Sequence, residues 1–383
     1  MTEPLIHTDT LIVGAGPIGL ELAVVLKTMG LDYVQVDAGQ VGQTVSWYPR
    51  QVRFFSSPER IAIAGVPLGT SDQEKATREQ YLAYLRGIVQ QFGLTVNTYE
   101  RVMHVQKQDE SFLVQTRRGS EQQAYHARHV VMAVGDMHHP QKLQIPGEDL
   151  DHVSHYFDEP HRYFGQKLLI VGGRNSAVET AIRCSRAGAD VTLSYRREKF
   201  DDKSIKYWLL PEILALIKSG EVRYLPNTVP TRICETHVRL IKTNQDGEPA
   251  PTGRGAGDSV GGDSGAGDFG SRDSGGGGAP IDVPAEFVLL LTGYRMDTSL
   301  FEDAGVTLVG ENRGPTFDPE TMMTNVPGLY VAGTAAAGTQ KRFRLFIENC
   351  HPHITKIVCS ITGQDPPPGL INDATKTYDL PES

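Results

Sequence analysis

Two strand–glycine turn–helix–strand repeats and several short apolar strands that end on glycine predict an α/β chain. We expect two Rossmann-like dinucleotide-binding domains, the second inserted in the first. The expected boundaries are 1–160 plus 285–383 for the first domain and 161–284 for the second. A length of 383 residues suits that division, because one core rarely serves more than about 250–300 residues.

The first repeat is "TLIVGAGPIGLELAVVLKTMGLDYVQVDAG", residues 10–39. Its motif is Gly14-x-Gly16-x-x-Gly19, with Pro17 at the helix start. Gly14 permits a tight turn, Gly16 lets the backbone approach a pyrophosphate, and Gly19 lets helix and strand pack closely. The helix N-terminus then faces the phosphates. Asp37 ends the second strand, where a ribose hydroxyl acceptor is expected. Three later strands, "HVVMAVGDMHHP" (129–140), "FVLLLTGY" (287–294) and "GLYVAGT" (328–334), read as parallel strands turning toward a ligand crevice. Val102, Gly135 and Gly333 complete the candidate set for this first cofactor.

The second repeat is "LLIVGGRNSAVETAIRCSRAGADVTLSYRR", residues 168–197. Its turn runs Gly172, Gly173, Arg174, Asn175, Ser176, Ala177, with alanine in place of the last glycine. No acid follows the second strand. Tyr195, Arg196 and Arg197 stand there, with Lys199 and Lys203 nearby. Guanidinium groups pair with a 2′-phosphate, which an acid would repel. The first site therefore suits FAD and the second NADPH, and together they point to a flavoprotein reduced by a nicotinamide.

Residues 244–284 interrupt this pattern with mostly Gly, Asp, Ser and Pro around a single Phe269. Such a composition buries too little to offset its ordering entropy, so we expect a disordered insert. It would lengthen a surface turn between neighbouring strands in "THVRLIKT" and "AEFVLLLTGY". A net charge of -9 gives no footprint for nucleic acid. No stretch is apolar and long enough for a membrane span, and no signal peptide is evident, so a cytoplasmic protein is expected. The four cysteines, Cys184, Cys234, Cys350 and Cys359, form neither a CxxC nor a disulfide framework. No zinc-like cluster appears, and the adjacent His138 and His139 are poorly placed to share a metal, so none is expected.

Beyond these motifs, the chain resembles the bacillithiol disulfide reductase family, thioredoxin-reductase-like flavoproteins that lack the CxxC pair. The resemblance covers nearly everything outside the insert. It rests on "WYPRQVRFFSSPERIAIAGVP" (47–67), "IPGEDLDHVSHYFDEPHRYFGQKLLIVGGRNSAVE" (145–179), "SIKYWLLPEI" (204–213), "LLLTGYRMDTSLFEDAGV" (289–306) and "TNVPGLYVAG" with "LFIENC" (324–350). It implies FAD and NADPH as cofactors and a small-molecule thiol disulfide as acceptor, with a small redox protein as the other acceptor class. A homo-oligomer is expected.

Two departures bear on the chemistry. Aligned on "VS", the positions of the cysteine pair fall on Tyr156 and Glu159, so a two-cysteine relay is excluded and the stretch reads as an interdomain hinge. The family's Gly-Pro-Cys-Gly is here "GPIG", with Ile18 for the cysteine. Cys350, beside Asn349, His351 and His353 at the start of the last helix, is the remaining candidate thiol. A helix N-terminus and a nearby histidine would lower its pKa. The other readings are a buried packing cysteine, or electrons leaving the flavin directly. Alternative functions are a ferredoxin- or flavodoxin-NADP reductase, for which Lys341, Arg342 and Arg344 offer a basic patch, a flavin monooxygenase, and a non-catalytic flavin-binding redox sensor.

Overall fold

β1 (Leu5–Val13) opens the first sheet, exposed at its start and fully buried over its last four residues. It feeds α1 (Pro17–Thr28), whose Gly16 cap and Pro17 pre-set the first turn. Nine residues of α1 are buried, so it runs inside the unit rather than along its surface. β2 (Tyr33–Val36), the short helices α2 (Gln43–Ser46) and α3 (Pro58–Ile61), and α4 (Arg78–Phe92) follow. A Thr77/Gln80 capping box starts α4 and left-handed Gly93 ends it. The strands β3 (Arg101–Gln108), β4 (Ser111–Arg118) and β5 (Glu121–Met132) form an antiparallel meander, and two-residue β6 (His139–Pro140) closes this stretch. The computed structural model describes residues 5–202, 205–244, 247–248, 279–340 and 344–372.

The next unit holds β7 (Val153–Ser154), β8 (Lys167–Val171), α5 (Asn175–Arg186), β9 (Asp190–Tyr195), α6 (Leu209–Ser219), β10 (Val222–Pro226), β11 (Thr228–Ile233), β12 (His237–Lys242), β13 (Ile281–Pro284) and β14 (Phe287–Leu290). A five-stranded sheet runs β10-β9-β8-β14-β7, all parallel, and β11-β12-β13 form an antiparallel sheet. Alternation along β8 builds both faces. Leu168 and Ile170 pack with α5 and α6. Leu169 and Val171 pack with Val238, Leu240 and Val283 of the three-stranded sheet.

The chain then adds β15 (Tyr294–Arg295), which pairs with β6, and α7 (Ser299–Asp303), β16 (Leu308–Val309), β17 (Gly314–Pro315), β18 (Leu329–Val331) and α8 (Pro352–Thr362). β18 lies parallel to the end of β5, completing the six-stranded sheet built on β2-β1-β5-β4-β3.

Two compact units result, one of the chain up to Gln141 and from Gly293 on, the other Lys142–Thr292. This division differs from the expected boundaries at 160 and 285. β14 is an inner strand of the second sheet and β7 is its edge, so both belong to the second unit. The stretch read as a hinge thus contributes a strand. The insert is also shorter than expected at its C-terminal side. Ile281–Pro284 is β13, paired antiparallel with β12, with Val283 buried. β12 and β14, expected as neighbours, lie in different sheets. Asn244, Gly247, Glu248 and residues 279–284 are described, and the rest of the expected insert lies outside the described residues.

Candidate active site and dinucleotide turns

In the first unit, Gly14 follows β1 with φ +115, and a Cβ there would collide with the Ala133 carbonyl. A Cβ on Gly19 would collide with the Gly14 carbonyl. At Gly16 a Cβ would meet nothing within 4 Å, so that side of the turn is open. The Asp37 carboxylate accepts the amides of Ala15 (2.6 Å) and Gly39 (2.7 Å), tying the end of β2 to the turn. Burial raises its pKa against those two hydrogen bonds. Val102 is buried at the head of β3, beside a register irregularity.

The loops after β5 and β18 complete this crevice at the carboxyl ends of parallel strands, where ligands bind in such sheets. Gly135 (φ +77) and Gly333 (φ +72) both need left-handed backbone. A Cβ on Gly135 would reach the Thr334 hydroxyl at 3.9 Å, and one on Gly333 would reach Ile18 at 3.6 Å. The structure therefore brings the Gly14 turn, Gly135 and Gly333 together. It adds Asp136 and Gln340, which sequence reasoning missed. Gln340 Nε2 donates to the buried Asp136 carboxylate at 2.9 Å. The available signal was a carboxyl directly after a strand-ending glycine.

Cys350 precedes α8 and is fully buried. The expected lowering of its pKa is not what the site produces. Burial pushes the thiol up, and the negative charges of Asp136 and Glu21 push it further. Histidine gives no offset. His353 accepts the Gly333 amide through Nδ1 (3.2 Å), and burial lowers its pKa to about 4, so its ring is neutral at pH 7. His351 is engaged elsewhere. Its Nδ1 lies 2.7 Å from Glu21 Oε2, and its Nε2 donates to the Arg60 carbonyl at 3.0 Å. Burial would lower the His351 pKa, but the Glu21 charge and hydrogen bonds prevail and raise it. Glu21 Oε1 also accepts the amides of Ala64 and Asn372. A glutamate inside the apolar run of α1 was the visible hint of this buried pair.

In the second unit, Gly172 (φ +148) sits against the Leu291 carbonyl and Ala177. The Tyr195 ring lies over Gly173, where it leaves no room for a Cβ. Tyr195 in turn stacks on Phe200, with centroids 5.7 Å apart. Arg174 caps α5, and Asn175 Oδ1 accepts the Lys206 amide at 2.6 Å. Ser176 is exposed and Ala177 buried. Arg196 and Arg197 are exposed just past β9. Partial burial lowers the Arg174 pKa, and the positive charges of Arg196 and Arg197 lower it further against Tyr195 and Asp201. Lys203, Lys341 and Arg342 lie outside the described residues. Tyr156 and Glu159 both fall in the second unit. Among the described residues no cluster of His, Cys, Asp or Glu could hold a metal, and no helix is long and apolar enough to cross a membrane. All four cysteines are free.

The chain matches the family described as "Pyridine nucleotide-disulphide oxidoreductase" over residues 11–253, well over half its length. It belongs to the pyridine nucleotide-disulphide oxidoreductase family. Within that family it is 32% identical to the bacilliredoxin reductase Bdr of Bacillus subtilis (strain 168), over 94% of this chain and 99% of the relative. A ferredoxin–NADP reductase of Ignicoccus hospitalis is 26% identical, over 85% and 89%. Among solved structures, the bacillithiol disulfide reductase Bdr (YpdA) of Bacillus cereus matches with TM-score 0.80 and 31% identity, over 93% of this chain and 99% of that one. The chain is an oxidoreductase of this flavoprotein family, with FAD and NADPH as its cofactors. Its own geometry fits them. The Gly16 side is open before a helix N-terminus, and a carboxylate ends β2 of the first unit. Arg174 caps α5 at the second turn, and Arg196 and Arg197 are exposed just past β9, cations of the kind a 2′-phosphate needs.

Proposed function

We propose that this chain uses NADPH to reduce a low-molecular-weight thiol disulfide of the bacillithiol type, without a protein cysteine pair. The observation that carries the reading is the whole-length similarity to the Bacillus cereus bacillithiol disulfide reductase. Tyr156 and Glu159 at the pair positions agree with it.

In this reading Gly14, Gly16, Pro17 and Gly19 hold the FAD pyrophosphate at the start of α1, and Asp37 and Val102 flank its ribose and adenine. Gly135 and Gly333 keep side chains off the crevice floor. Gly172, Gly173, Asn175, Ser176 and Ala177 cradle the NADPH pyrophosphate, while Arg174, Arg196 and Arg197, with Lys203, take the 2′-phosphate. When bound, FAD carries two electrons from the nicotinamide to the acceptor. Cys350 packs rather than reacts, and the acceptor is reduced without a protein thiol. A homo-oligomer in the reducing cytoplasm, where free cysteines persist, completes the reading.

The test is rapid mixing of the flavin-loaded protein with NADPH and, separately, NADH. Fast bleaching of the flavin band by NADPH, and slow bleaching by NADH, is expected. No bleaching by either sinks the reading. Bacillithiol disulfide should then reoxidise the protein in repeated turnovers, and glutathione disulfide much less. The second reading, a ferredoxin–NADP reductase, is favoured by the Ignicoccus relative. Turnover with ferredoxin and none with any small disulfide would establish it instead.

A further inference from the structure

Asp136 is a buried carboxyl of the crevice that the cofactor assignments leave without a role. It follows Gly135 in the loop after β5 and is 7% exposed. Gln340 Nε2 and the Thr334 hydroxyl donate to it. The Gln340 amide has its orientation fixed. Its oxygen accepts the amides of Arg344 (2.8 Å) and Leu345 (3.0 Å), and its nitrogen also donates to the Leu345 carbonyl (3.0 Å). Toward Asp136 it therefore offers only a donor, which favours the carboxylate. Burial works the other way and raises the Asp136 pKa overall. The carboxyl thus sits buried among hydrogen-bond donors, at the junction of the two strand-end loops that floor the crevice.

Among the described residues no cation acts on Asp136, and Arg344, whose amide donates to Gln340, is exposed. Tyr48, Tyr294 and Cys350 all stand within electrostatic reach of it or of one another. The Tyr48 phenol and the Cys350 thiol are both pushed up, chiefly by burial and next by Asp136, so they keep their protons. His353 is neutral, and the charge of His351 is matched by Glu21. Negative charge added beside a buried carboxyl favours its protonated form.

We propose that Asp136 is the proton store of the site: it binds one proton when the site gains two electrons, and returns it to the thiolate expelled from the disulfide. The second half of that statement rests on the disulfide reductase reading. The balance is closed. The nicotinamide C–H bond breaks, and its hydride carries two electrons and one proton. The disulfide S–S bond takes up the two electrons and breaks to give one thiol and one thiolate. Asp136 takes one proton from solvent as the site is reduced and gives it to that thiolate, returning to the carboxylate, so NADPH, disulfide and H⁺ yield NADP⁺ and two thiols.

The first half is tested without any disulfide. The flavin-loaded protein is reduced electrochemically from pH 5 to 9 (roughly the range over which a raised carboxyl titrates). Infrared reduced-minus-oxidised spectra should gain a protonated-carboxyl band that Asp136→Asn lacks. Wild type should also bind one more proton per two electrons than the variant over part of that range. An unchanged band, or equal proton counts throughout, overturns the proposal. Should Asp136→Asn fail to hold flavin, Gln340→Leu serves. Loss of its donor tightens proton binding, so the pH window of uptake moves upward, and an unmoved window overturns the proposal. Failure of every small disulfide as acceptor would count against the functional reading and leave these measurements standing.

Discussion

Gly14 and Gly16 stand two positions apart under opposite constraints. Gly14 has φ +115 and no room for a Cβ, whereas Gly16 has extended backbone and open space. Gly14→Ala should destabilise even the apoprotein, by about 2 kcal/mol or more. Gly16→Ala should cost the apoprotein about 1 kcal/mol or less and yet sharply reduce the flavin retained on purification. Denaturant melts of apoprotein, with flavin-to-protein absorbance ratios, check both. At Cys350, full burial and a raised pKa remove the thiolate that a nucleophile requires. Cys350→Ser should leave flavin reduction by NADPH intact and disulfide turnover within about twofold (a change worth less than about 0.5 kcal/mol). Turnover lost with flavin reduction preserved would assign the thiol a role.

At the scale of elements, α1 and α8 are joined by Glu21 and His351, 330 positions apart and both within 1% of full burial. Removing one partner of such a pair costs about 3–5 kcal/mol. Its pH signature has a definite sign. The folded pKa of His351 is raised, so its stabilisation is complete below the unfolded value of about 6.5 and disappears as pH climbs through the folded value. His353 acts oppositely. With its folded pKa near 4, its contribution is present above about 6.5 and is lost as pH falls toward 4. Thermal melts across pH should show Glu21→Gln losing the alkaline slope and His353→Gln losing the acid one. At the end of β9, Arg196 and Arg197 lie on the surface while Tyr195 braces the turn. Arg196→Ala with Arg197→Ala should raise KM for NADPH about 10- to 100-fold, the equivalent of one or two charge-assisted hydrogen bonds. KM for NADH should barely move. The two glycine turns were legible because a positive φ and a close backbone approach admit little else. The Glu21–His351 pair was not, since no local period links residues so far apart. β7 escaped because two residues carry no pattern, and β13 because its four residues were flanked by Gly- and Pro-rich chain while its partner lay beyond them.

For the molecule as a whole, each unit has its own core, and the second unit divides its core between the two faces of one sheet. A ligand that binds only the folded form stabilises it, by about 4 kcal/mol at a thousand times Kd. Excess FAD should therefore raise the melting transition of the first unit, and 2′,5′-ADP that of the second, each without moving the other in calorimetry. One transition that rises equally with either ligand would contradict separate cofactor units. The fold class, the number of units and their nesting were readable from the two glycine grammars. The cut points were not, because β14 is as apolar as any strand of the first unit and only its partners β7 and β8 assign it.

The Asn372 amide donates to Glu21, 351 positions earlier, and β18 must lie against β5 before the first sheet is whole. On a ribosome, where domains fold as units as they emerge, the early strands of the first unit have to wait. The continuous second unit, Lys142–Thr292, can close while they wait. Synthesis order and assembly order are thus reversed, and α1, made among the first residues, is among the last helices to find all its partners.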